Sequence, residues 1–155
     1  MKRVAFVPML VVSVALLLSS ISAFAQTTPD PLVGTWNIRG AANSFIAVMT
    51  FNAGGTTVEY DTAGTNSSAS PGETISLGKW SNAGGPNYSF KEENYIYDGT
   101  GALAFIAVAN CSLTLSSTKN SFTDKCTVNI HTCTVKSCPG AVVQSSVGPA
   151  QGTRF

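Results

Sequence analysis

From residue 35 onward the chain is a succession of short β-prone stretches cut by clusters of Gly, Asn, Asp and Pro, and no helical hydrophobic period lasts three turns. The stretches run over 35–39, 45–52, 56–61, 74–81, 87–97, 102–115, 122–132 and 141–154. Most of the connections are short, so consecutive strands pair antiparallel. Eight such strands must bury one face and hide two edges. Closing the sheet on itself does both, which predicts an all-β, antiparallel, up-and-down eight-stranded barrel. A two-sheet sandwich is the alternative.

Strand alternation puts Trp36 and Ile38, Met49 and Phe51, and Val58 and Tyr60 on one face. On the fifth strand Tyr88 and Phe90 share one parity and Tyr95 and Tyr97 the other, which predicts a bulge near 92–94. The sixth strand carries Ala104, Ile106 and Val108 opposite Leu103, Phe105 and Leu113. A strand that is apolar on both faces needs cover on both, and a homo-oligomer contact through this strand would supply it.

Lys2 and Arg3 precede an apolar run over 4–18, then serines, then Ala23-Phe24-Ala25. These are the n-region, h-region and A-x-A site of a secretory leader. The expected organisation is a signal peptide over 1–25, a short linker over 26–31 and one barrel domain over 32–155, exported to the periplasm or outside the cell. An uncleaved membrane anchor is the alternative reading of the apolar run. No later segment is apolar enough to span a bilayer. Without the leader, seven Lys plus Arg face eight Asp plus Glu, so no basic stripe invites nucleic acid.

All four cysteines, Cys111, Cys126, Cys133 and Cys138, lie late in the chain behind an export signal, which reads as two disulfides. If the sixth and seventh strands turn at Ser117 and Thr118, Leu115 faces Phe122, Ala109 faces Val128, and Cys111 faces Cys126 within disulfide reach. Cys133 then closes a short loop with Cys138. The C-x2-C pairs of a zinc site are missing, and no metal or organic cofactor is called for.

Catalytic motifs are sparse. His131, the only histidine, falls on the face opposite Cys126 and Val128, pointing outward, and no serine and carboxylate pair is arranged around it. Of Glu92 and Glu93, beside Lys91, one should point inward. A carboxylate in an apolar cavity acquires a raised pKa and can serve as acid, base or ligand anchor.

Leu32-Val33-Gly34-Thr35-Trp36 resembles the G-x-W opening of the calycin barrels: lipocalins, fatty-acid-binding proteins and avidins. Gly78-Lys79-Trp80, Tyr88-Ser89-Phe90 and the terminal Gly152-Thr153-Arg154-Phe155 extend the likeness to small bacterial secreted lipocalin-like proteins. In that family the tryptophan plugs one barrel end and a late arginine packs over it, roles that would fall to Trp36 and Arg154. The T-D-Y element and C-terminal helix of typical lipocalins, the helical lid of fatty-acid-binding proteins and the several tryptophans of a biotin site are all missing. The resemblance implies a barrel holding a small apolar molecule, with cavity candidates Met49, Phe51, Tyr60, Tyr88, Phe90, Tyr95 and Phe105 and with Glu92 as an anchor. It implies no catalytic residue. The alternatives are a cavity-shaping cyclase of the allene oxide cyclase barrel type and a filled barrel acting as an envelope or interaction module.

Overall fold

The computed structural model describes residues 28–61, 72–134 and 136–155. The expected leader and residues 62–71 lie outside them. Eight strands, β1 Gly34–Gly40, β2 Ile46–Phe51, β3 Thr56–Asp61, β4 Ser76–Gly84, β5 Asn87–Tyr97, β6 Leu103–Leu115, β7 Ser121–Thr132 and β8 Val142–Arg154, form one closed barrel in chain order. Every neighbouring pair is antiparallel, and β8 returns to β1 with Trp36 opposite Arg154 and Gly40 opposite Ala150. No sheet edge is left unpaired, which closes the question between barrel and sandwich.

The turns set the registers. Between β2 and β3, Asn52 N–H donates to Thr56 O and Gly55 N–H to Asn52 O, with Gly55 at φ 78°. This three-residue turn over 53–55 places Phe51 opposite Thr57 and Met49 opposite Glu59. The inner face of β3 is therefore Thr57, Glu59 and Asp61, and Val58 and Tyr60 point outward, the reverse of the hydrophobic reading. Turn length decides parity, and parity carries the whole strand.

The bulge expected near 92–94 is absent. β5 pairs with β6 without interruption from Asn87 to Ile96, and the register shifts only between Ile96 and Tyr97, where β6 accommodates Ala104 as an extra residue. Tyr88, Phe90, Glu92, Asn94 and Ile96 consequently share the inner face, and Tyr95 points outward. Keeping the ladder intact costs the interior one carboxylate and one amide, which a polar-lined space can accept.

The β6–β7 register sets Leu115 opposite Phe122, Ala109 opposite Val128 and Cys111 opposite Cys126. Disulfides join Cys111 to Cys126 and Cys133 to Cys138, with Cα atoms 4.1 and 4.5 Å apart. The second bridge closes a loop against the outside of β6. Cys133 N–H donates to Ala104 O, and Cys133 packs with Ile106 and Val108 in a small core of their own. The outer face of β6 at these positions is thus covered from within the chain.

One end of the barrel is solid. Leu32, Trp36, Phe51, Tyr88 and Leu113 are fully or almost fully buried there, and Phe122 packs tilted against Trp36 at 5.0 Å and edge-to-face with Phe51 at 6.2 Å. Asp30 caps this floor by accepting from Tyr88 Oη and from Leu32 N–H, both at 2.9 Å. Trp36 Nε1 donates to Leu32 O, and Arg154 lies 4.4 Å over the indole while donating to the carbonyls of Pro31 and Val33. Asp30 and Pro31 are thereby hydrogen-bonded into the barrel end.

Candidate functional site

Above this floor the interior opens into a cavity of about 400 Å³. Phe90 forms its base, Ala107, Ala109, Val128 and Ile130 its apolar wall, and Ala41, Ser44 and Phe45 of the β1–β2 connection stand at its rim. The alanines of β6 leave room that larger side chains would fill. The Cys111–Cys126 bridge crosses the same wall and ties β6 to β7 beside the space.

The opposite wall is acidic, with Glu59 and Asp61 from β3, Glu73 from the approach to β4 and Glu92 from β5; Asp124 joins them from β7, the strand of Val128 and Ile130, and among the described residues the lining contains no Lys, Arg or His. Gly78 makes this approach feasible. It pairs with Thr57 on one side and Glu92 on the other, and a Cβ there would sit 2.5 Å from Thr57 Oγ1 and 2.6 Å from Glu92 Cγ.

Burial holds the carboxyls of Glu59, Glu73, Glu92 and Asp124 above their ordinary range, and repulsion from neighbouring carboxylates adds to it at the three glutamates. Glu59 is pushed well up, first by burial and then by the neighbouring Glu92 and Asp61 charges. Glu92, 4% exposed, is raised by burial against the opposing influence of Thr57 and Glu59. Glu73 is raised by burial and by Asp61, and Asn94 Nδ2 donates to it at 3.4 Å. Asp124 is raised to about 6 by burial, partly countered by the Ala150 N–H donating to Oδ1 at 2.9 Å. Glu93 points outward instead and pairs with Lys91 at 2.6 Å.

Asp124 yields a stability prediction. Its folded-state pKa lies above the ordinary 3.8, so between these values the folded protein binds more protons than the unfolded chain. Stability therefore falls as pH rises from about 4 to about 6 and stays lower above, by roughly 3 kcal/mol. Asp124→Asn keeps an acceptor for the Ala150 amide and loses the charge. Urea unfolding should find this variant more stable than the parent at neutral pH by up to that amount and equal to it near pH 4; a parent stability that climbs with pH through this window would contradict the assignment.

The remaining sequence candidates divide. Phe90 and Glu92 line the cavity, whereas Met49, Phe51 and Tyr88 are buried in the floor beneath it. Phe105 shares the inner face of β6 but stands half-buried outside the cavity lining. Tyr60 and Tyr95 are on the outer surface, 60% and 42% exposed, so neither can touch an interior ligand. His131 also points outward and donates from Nδ1 to the Gly140 carbonyl at 3.1 Å. Glu59, Asp61, Glu73 and Asp124 went unselected from sequence. Asp124 was legible, lying two residues from both Phe122 and Cys126, whereas Glu59 was masked by the apolar Val58 and Tyr60 beside it.

Among the described residues no three His, Cys, Asp or Glu side chains converge as metal ligands do, and no helix is long and apolar enough to cross a membrane. Comparison with known protein families, with curated proteins and with solved structures finds no match.

Proposed function

We propose that the protein is an exported binding barrel that carries a small molecule with an apolar body in the upper half of its interior. The cavity of about 400 Å³ carries this reading: it falls within the size range of small-molecule sites, and an apolar wall with a few convergent polar groups is their usual lining. The leader-like first 25 residues and the two disulfides support export. The Gly34-Thr35-Trp36 opening with Arg154 over Trp36 supports kinship with the calycin barrels. A filled interaction module has no use for the open space.

Cavity filling tests the reading. Ala109→Phe should cost an apolar fluorescent probe at least about tenfold in affinity, equivalent to about 1.4 kcal/mol, while Tyr60→Ser on the outer face leaves binding as it was. A probe panel that never saturates the parent protein, or binding indifferent to Ala109→Phe, would count against an interior site. One observation favours acid–base chemistry as a second reading: Glu59 and Glu92 interact in the cavity, and burial raises the pKa of both. Turnover of a bound molecule that stops in Glu59→Gln would support it.

A further inference from the structure

We propose that the molecule selected by this cavity carries a cationic nitrogen, an alkylammonium or similar head with N–H donors, seated among Glu59, Glu92 and Asp124 with its apolar body against Phe90, Ala109 and Ile130. The proposal rests on the binding-barrel reading and adds the chemical class of the ligand.

The interior departs from that of a plain apolar carrier in charge, in hydrogen bonding and in the spacing of its acidic groups. The carboxyl groups of Glu59, Glu73, Glu92 and Asp124 project into the cavity, and among the described residues its lining contains no Lys, Arg or His. Glu92 is 4% exposed, and although its carboxyl lies beside Thr57 and Glu59, its Oε1 and the buried Thr57 Oγ1 meet hydrogen-bond geometry with no partner among the described residues. A buried acceptor of this kind is costly unless a donor arrives. Among the described residues no three of these carboxyls converge on one point as the ligands of a metal ion do. A polyatomic head with several N–H bonds can reach more than one of them.

Other ligand classes fit less well. An anion would meet only like charge, and a neutral hydrocarbon would leave Glu92 Oε1 unsatisfied. A cation offsets the repulsion among Glu59, Glu73, Glu92 and Asp124, which is the same repulsion that burial intensifies. Its arrival favours the charged form of these groups, so binding should release protons.

Titration calorimetry with octylamine, 1-octanol and octanoate near pH 6, where the Asp124 carboxyl raised to about 6 still holds a proton to release, separates the possibilities, because the three share one apolar chain. Octylamine should bind roughly tenfold or more tightly than octanol, with octanoate weakest. Its apparent binding heat should also change with the ionisation enthalpy of the buffer, as proton release requires. Glu92→Gln and, independently, Asp124→Asn should narrow the octylamine-to-octanol ratio to within about threefold, with near-ultraviolet circular dichroism verifying that each variant is folded. Octanol binding as tightly as octylamine, or a ratio unmoved in both folded variants, overturns the cationic class while leaving the binding barrel standing. Failure of all three ligands to bind overturns both.

Discussion

Trp36→Ala is expected to lower stability by about 3–5 kcal/mol, a large share of the roughly 5–15 kcal/mol available to a domain of this kind. The residue has no exposed surface, and its removal leaves more than a cavity. Phe122 loses the ring it packs against at 5.0 Å, Leu32 O loses the indole donor, and the Arg154 guanidinium loses the face it covers at 4.4 Å. These contacts join residues before β1 to the last residues of β8, so the seam that closes the barrel is weakened at one point. Urea unfolding midpoints measure the loss. A cost below about 1 kcal/mol would mean that the floor repacks easily and that Trp36 is not its keystone.

Gly78→Val is expected to cost about 3 kcal/mol or more, at the upper end of the overpacking range. A Cβ at this position would lie 2.1 Å from the Lys91 carbonyl oxygen as well as against Thr57 and Glu92. The first obstacle is backbone in the adjacent strand, which cannot rotate away, so the β4–β5 ladder must open where Gly78 faces Glu92. Gly54→Ala is the matched control, since a Cβ there meets nothing within 4 Å; its effect should stay within about 1 kcal/mol. Equal melting temperatures for the parent and Gly78→Val would show that the acidic wall does not depend on this close approach.

Much of the scaffold was readable because its signals are local or come in pairs. The strand and turn alternation, the β6–β7 register and the Cys111–Cys126 partnership all follow from period-two geometry and one turn. The same geometry places Asp124 on the inner face, two residues from Cys126. β3 misled because hydrophobicity and turn length point opposite ways there, and the three-residue turn over 53–55 prevailed. β5 misled because an aromatic at Tyr95 suggested a change of parity, whereas the continuous ladder to β6 kept Glu92 inward and Tyr95 outside. The apolar outer face of β6 was legible as needing cover, but that cover is the loop around Cys133, contiguous with β7 in sequence.

By itself, then, the sequence determined the strands, their antiparallel succession and the pairing of the cysteines, because each depends on side-chain period, turn residues or a single hairpin. The tertiary structure alone decided that one barrel end is packed solid and the other half open, and that Glu59, Glu92 and Asp124 share the open part. Those facts depend on which faces meet across a closed sheet. The proximity of carboxyls from β3, β5 and β7, and the burial that raises their pKa values, arise from distances between strands that no local period encodes.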